Sequence, residues 1–142
     1  MSRSQVFILI AATAAGFWSV LLSRASKLVT PIVGTGIVEG TAVVLVLILI
    51  FRQRVDLSSA LTPIGAGLLL LCGLCVFSVD YFSLRAFELG MEVSVGAPTI
   101  AAGAILVPAL LGTILGEEVS IPKVFGISLI GAGVFVLARF SA

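Results

Sequence analysis

The chain has 142 residues with 60% hydrophobic and 11% charged side chains, a net charge of +1 and a mean hydropathy of +1.30. Soluble domains carry about 25% charged residues, so this composition leaves too little polar surface for a water-soluble globule. There is no histidine and no basic tract, which excludes imidazole relays, the usual Ser-His-Asp triad and an electrostatic footprint for nucleic acid.

Five apolar stretches predict an all-α membrane protein with five transmembrane helices. A helix needs roughly 17–25 apolar residues to cross about 30 Å of hydrocarbon. The last stretch is shorter, but Lys123 and Arg139 flank it and can reach the interfaces with their charged ends. The predicted helices cover residues 5–23, 31–51, 63–87, 95–115 and 122–139. We therefore expect one transmembrane domain over residues 1–142, surrounded by a lipid bilayer.

The first predicted helix starts like a cleavable signal peptide, with Arg3, an apolar run and the small residues Ala12 and Ala14. The apolar character continues through Trp18 to Leu22 and makes a full span, which predicts that the helix is retained. Trp18 near its end fits an aromatic belt at a membrane interface. The alternative is that it lines an internal cavity.

The second predicted helix contains an acid within an apolar run, "IVEGTAVVLVLILIF". Glu39 lies eight residues beyond Pro31, about 12 Å along a helix, where an acid costs about 2.5–3.5 kcal/mol to insert. At about 100° per residue it shares a face with Gly36 and Gly40, and Thr35 borders that face. We expect Glu39 either to bind a proton, cation or substrate in a cavity or to hydrogen-bond a neighbouring helix for packing.

The third predicted helix contains a second acid, Asp80, followed by Tyr81. Asp80 is expected either to line a polar pathway or to touch headgroup water, and Tyr81 either to line a cavity or to join the aromatic belt. Arg85 is expected to pair with Glu88 at i+3. In the same helix Cys72 and Cys75 form a CxxC, but two thiols fall short of the usual four metal ligands, which favours packing residues and predicts no metal site.

Glycines four residues apart match the close-packing motif of membrane helices. The two matches are Gly36 with Gly40 and Gly112 with Gly116. We expect these four glycines to serve helix packing. Gly90 and Gly116 are also expected to end the third and fourth helices.

The positive-inside rule does not choose an orientation for this chain. Four basic residues fall on each side of the predicted topology: Arg3, Arg52, Arg54 and Lys123 on one, and Arg24, Lys27, Arg85 and Arg139 on the other. Such balance is compatible with insertion both ways and an antiparallel homodimer, with an orientation fixed by a partner subunit, or with a single orientation.

The final third, "GAPTIAAGAILVPALLGTILGEEVSIPKVFGISLIGAGVFVLAR" from Gly96 to Arg139, resembles the end of the EamA domain of the drug/metabolite transporter superfamily. Matching features are Pro98 early in the fourth helix, Leu115-Gly116-Glu117 at its end, and a glycine-rich fifth helix. "GFWSVLLSRASK" and "DYFSLRAFELGMEVSVGAP" are similar to the family's first helix and to its junction of helices 3 and 4.

This resemblance implies a carrier of small metabolites, amino acids or drugs with a central cavity. Most members of the family have two inverted five-helix units, so one unit implies an antiparallel homodimer or a paired five-helix subunit. Within that hypothesis Glu39 and Asp80 contact the substrate or coupling ion, and Trp18, Tyr81 and Thr99 line the cavity. The family often has an arginine or a neutral residue where this chain has Glu39, so the role of Glu39 cannot be borrowed from it.

The expected function is therefore alternating-access transport in a prokaryotic inner membrane, with no enzymatic activity, no cofactor and no nucleic-acid partner. The rival hypothesis is a non-transporting membrane scaffold or one subunit of a larger heteromeric complex.

Overall fold

The computed structural model describes residues 3–54, 62–118 and 120–140. Five α-helices account for nearly all of them, and these ranges contain no strand. The helices are α1 (Arg3–Ala25), α2 (Pro31–Gln53), α3 (Pro63–Glu88), α4 (Val93–Ile114) and α5 (Ile121–Phe140). The all-α prediction is confirmed, and each predicted boundary lies within two residues of the observed one.

Four of these helices, α1 to α4, are long and apolar enough to cross a membrane. The apolar part of α5 is shorter, Ile121–Leu137. Several apolar helices are thus compatible with an integral membrane protein, whereas the count of five spans stays a prediction. Its outcome depends on whether α5 crosses with help from Lys123 and Arg139.

Proline and glycine mark several of the helix ends. Pro31 and Pro63 stand at the starts of α2 and α3, where a missing N–H costs little. The Gly65 N–H also donates to the Thr62 hydroxyl at 3.2 Å, which caps α3. Gly90 and Gly116 follow α3 and α4 with φ of +98° and +88°, a left-handed conformation that glycine adopts without strain.

Contacts divide the chain into two compact units. The terminal unit comprises Met1–Leu21 and Met91–Ala142, and so contains most of α1 together with α4 and α5. The central unit comprises Leu22–Gly90, and so contains the last residues of α1 together with α2 and α3. The single transmembrane domain over residues 1–142 stays a prediction.

In the central unit, the start of α2 packs against the end of α3. Leu84 and Phe87 of α3 are buried, and a Cβ added at Gly34 would lie 2.8 Å from Leu84 Cδ1. By contrast, every residue from Gly40 to Leu49 and from Gly67 to Val79 is exposed. Burial is therefore concentrated at one end of the pair, and the rest of its apolar surface is open to lipid or to another helix.

Candidate functional site

The predicted acid Glu39 lies in the ninth position of α2. Its side chain is partly buried, and the oxygen Oε1 is buried without a hydrogen-bond partner among the described residues. Leaving a buried polar atom unsatisfied costs about 1–3 kcal/mol, and more for a charged group. Such an atom can accept a hydrogen bond from a ligand, a water molecule or another polar group.

A second unpartnered oxygen lies one helical turn earlier. Thr35 is 0% exposed, and its Oγ1 has no hydrogen-bond partner within the described part of the chain. Thr35 and Glu39 are four residues apart, a spacing that places side chains on the same helix face about 5–6 Å apart at Cβ. The two oxygens therefore define one polar patch, the Thr35–Glu39 pair, at the edge of the buried end of α2.

Several other hydroxyl groups in the helices form a backbone hydrogen bond that Thr35 lacks. Five of them donate to the carbonyl oxygen four residues earlier, at 2.7–3.1 Å: Ser19, Thr41, Ser78, Thr99 and Thr113. This back-bonding is the usual way for a helical hydroxyl to satisfy itself. Thr35 lacks that bond although it is buried more completely than any of them.

Gly36 and Gly40 lie on the open side of Glu39. At about 100° per residue, Glu39 is about 40° from Thr35 and about 60° from Gly36 around the helix axis. Beyond the backbone of α2 itself, no atom of the described residues would lie within 4 Å of a Cβ added at either glycine. Glu39 thus lies between the buried end of α2 and an open glycine surface, and whether these glycines pack against another helix stays a prediction.

The second predicted acid, Asp80, lies at a similar level on the neighbouring helix. Because Gly34 approaches Leu84 and the two helices run in opposite directions, the levels follow from a rise of about 1.5 Å per residue. Glu39 is about 7.5 Å beyond Gly34, and Asp80 is about 6 Å before Leu84. Asp80 is only 3% exposed and has an interaction of its own, so it differs from the partly buried Glu39.

The three other predicted site residues have separate surroundings. Tyr81 in α3 stacks on Phe77 with ring centroids 6.0 Å apart and meets Phe82 edge to face at 5.4 Å. In the terminal unit, Trp18 is partly buried in α1, and Thr99 is exposed in α4 with its hydroxyl bonded to the Val95 carbonyl. Within the central unit, α2 and α3 pack against each other, so the helix that carries Glu39 is next to the helix that carries Asp80 and Tyr81.

The glycine motif at the end of α4 has a local role in this structure. A Cβ at Gly112 would lie 2.8 Å from Oε2 of Glu117, and Gly116 is in the turn after the helix. The Glu117 carboxylate also pairs with Lys123 Nζ at 3.5 Å. Gly112 thus makes room for a side chain of the following turn, a contact that its four-residue spacing from Gly116 did not predict.

A cleft of about 350 Å³ opens beside this turn in the terminal unit. Leu106, Leu110 and Ile127 contribute to its apolar wall, and Glu118 and Lys123 contribute to its polar rim. The rim residues are exposed, and Lys123 is already paired with Glu117. Within the described part of the chain, the cleft therefore lacks the buried, unpartnered polar atoms that distinguish the Thr35–Glu39 pair.

The described residues contain no group of three or more His, Cys, Asp or Glu side chains that could hold a metal ion. Cys72 and Cys75 are exposed free thiols in α3. The feature that sequence reasoning undervalued was Thr35. Its signal was the spacing Thr35-x-x-x-Glu39, which puts a hydroxyl on the face of the partly buried acid.

No family model, curated protein or solved structure matches the chain. The resemblance to the EamA domain therefore stays a prediction from its motifs.

Proposed function

We propose that the chain is a membrane carrier of small organic metabolites, amino acids or drugs that works by alternating access. One observation supports this function most directly: the Oε1 atom of Glu39 is buried and unpartnered within an apolar helix. Acids placed inside membrane spans are costly and usually mark substrate, ion or proton pathways. Glu39 binds the substrate or the coupling ion, and Asp80 on α3 is the second acid of the pathway.

The transporting form is an antiparallel dimer of five-helix units. Inverted units around a central site are a common way to build a carrier that opens to each side in turn. The balanced distribution of Lys and Arg and the resemblance to the EamA domain support this assembly. The open glycine surface at Gly36 and Gly40 would allow another helix to approach Glu39 closely.

Transport is tested with the purified chain in sealed proteoliposomes that contain a pH-sensitive dye. Under an imposed pH gradient, the addition of amino acids, amines or drug-like cations should move protons across the membrane faster than in protein-free liposomes. Protein-free liposomes correct for passive permeation of weak bases. A chain that moves none of these classes above this background would speak against a carrier.

The antiparallel assembly makes a separate prediction about orientation. Leu28, between α1 and α2, and Leu115, after α4, are both 84% exposed. In the proposed topology α2, α3 and α4 all cross the membrane, which puts these two residues on opposite sides of it. With Cys72 and Cys75 replaced by alanine, Leu28→Cys and Leu115→Cys should each react with an impermeant maleimide in about half of the molecules on intact cells.

Labelling at only one of these positions would exclude the inverted homodimer. That result would favour a paired subunit of opposite orientation, or the second candidate function, a non-transporting subunit of a larger complex. The exposed glycine surface of α2 favours such a subunit, because small residues suit close contact with a partner helix. Proton movement in proteoliposomes of the chain alone would reject the non-transporting alternative.

A further inference from the structure

The Thr35 hydroxyl and the Glu39 carboxylate are two unsatisfied polar groups one helical turn apart. Both present a buried oxygen with no hydrogen-bond partner among the described residues, and both lie on one face of α2. The charge available in the pair is that of a single carboxylate. A ligand that satisfies the pair therefore carries one positive charge and donates at least two hydrogen bonds.

We infer that Thr35 and Glu39 together bind a protonated primary amine, with Thr35 as a binding residue in its own right. This inference rests on the proposed role of Glu39 as a substrate-binding acid and names the chemical class of that substrate. The amine belongs either to a soluble metabolite or drug or to the ethanolamine headgroup of a lipid.

A primary ammonium group fits the pair better than other cations. Its single nitrogen carries three N–H donors, so it can donate to both oxygens at once. A quaternary ammonium has the same charge and no N–H, and it leaves Thr35 unsatisfied. The planar fork of a guanidinium suits two oxygens of one carboxylate, and Ca²⁺ takes six to eight oxygens, far more than this pair supplies.

The organic part of the amine has space on the side of α2 that the protein leaves open. Gly36 and Gly40 have no side chain, and beyond the backbone of α2 itself no described atom approaches their Cβ positions within 4 Å. Glu39 borders this surface, and the fully buried Thr35 lies about 40° to the other side of Glu39 around the helix axis. In the proposed complex the ammonium group lies between the two oxygens, and its carbon skeleton lies over the glycines.

The test compares two ligands that differ in N–H donors and share a ring and a charge, benzylammonium and benzyltrimethylammonium. Binding is measured by calorimetry on the full chain in nanodiscs of phosphatidylcholine and phosphatidylglycerol. We expect benzylammonium to bind at least about tenfold more tightly, which corresponds to one lost charge-assisted hydrogen bond. Equal affinities, or tighter binding of the trimethyl compound, would overturn the inference.

Variants at position 35 separate a binding role from a structural one. Thr35→Val removes the hydroxyl and keeps the shape, so it should weaken benzylammonium binding about tenfold and leave benzyltrimethylammonium unchanged. Thr35→Ser keeps the hydroxyl and should keep the preference for benzylammonium over benzyltrimethylammonium. The matched control is Thr41→Val in the same helix, because the Thr41 hydroxyl is exposed and already bonded to the Ile37 carbonyl at 2.8 Å. If Thr35→Val and Thr41→Val bind both ligands alike, the inference fails.

Glu39→Gln distinguishes this failure from failure of the proposed function. If Glu39→Gln abolishes binding of both ligands while Thr35→Val changes nothing, the acid stands and the Thr35 inference falls. If Glu39→Gln changes nothing, both fall. Nanodiscs that contain phosphatidylethanolamine identify the source of the amine: competition with benzylammonium assigns the pair to a lipid headgroup, and unchanged affinity assigns it to a soluble amine.

Discussion

Gly34→Ala should lower the free energy of unfolding, although alanine is the better helix former. The added Cβ would lie 2.8 Å from Leu84 Cδ1 and 3.2 Å from Val29 Cγ2. Leu84 is 0% exposed, so its side chain has little room to give way. Overpacking of this kind costs about 1–3 kcal/mol, which exceeds the gain in helix propensity of about 0.8–1 kcal/mol over most of that range. Gly34→Val should cost more.

The measurement is the midpoint of thermal unfolding of the purified chain in detergent. Gly67→Ala in α3 is the control, since nothing beyond the helix's own backbone lies within 4 Å of its Cβ position, and it should raise the midpoint through helix propensity alone. The double variant Gly34→Ala/Leu84→Ala should lose less stability than the sum of the two single variants, because Leu84→Ala removes the side chain that the new Cβ would contact. A rise in the midpoint for Gly34→Ala equal to that of Gly67→Ala would show that α2 and α3 do not pack through Gly34.

Glu39→Gln should reduce substrate-dependent proton movement about 10- to 100-fold. A hydrogen bond to a charged group contributes about 1.5–3 kcal/mol, and each 1.4 kcal/mol is a factor of ten. The glutamine keeps the shape of the side chain but carries no charge, so it cannot form the charge-assisted hydrogen bond to the substrate or coupling ion.

Two comparisons make this result specific. Glu88→Gln removes an acid that is exposed in part and paired with Arg85 at 2.6 Å, and it should leave transport unchanged because surface pairs contribute little. Thermal unfolding of Glu39→Gln should stay at or above the wild-type midpoint, since Oε1 has no bond within the described residues to lose. Full transport by Glu39→Gln would remove Glu39 from the mechanism.

Helix positions could be predicted from sequence because the apolar runs are long and proline or glycine marks several of their ends. Pro31 and Pro63 start α2 and α3, and Gly90 and Gly116 follow α3 and α4 with positive φ. The pair Arg85–Glu88 was also predictable, since its i, i+3 spacing depends on one helix alone.

The side of α2 that packs could not be predicted. This helix is apolar almost all round, so hydrophobic periodicity does not mark its buried face. The four-residue spacing singled out Gly36 and Gly40, whereas Gly34 makes the close approach to α3. A shift of two residues is about 200° around the axis. Only the position of Leu84 on the other helix decides which glycine is buried, and that position is not encoded within α2.

The candidate site shows the same division between local and non-local information. The sequence alone identified Glu39 as unusual, because an acid within an apolar run is visible in one segment. That Thr35 lacks the backbone bond found for Thr41 depends on how its side chain is oriented at the buried end of the central unit. No spacing rule supplies that orientation.

The missing bond at Thr35 has a consequence for how this position changes over generations. Substitution of threonine by alanine or isoleucine needs one nucleotide change, and a residue without the hydroxyl would relieve an unsatisfied group that costs about 1–3 kcal/mol. A single random mutation can therefore replace Thr35 with a residue that stabilises the fold. If the hydroxyl binds a ligand, purifying selection should retain threonine or serine at position 35 across related chains while position 41 varies freely.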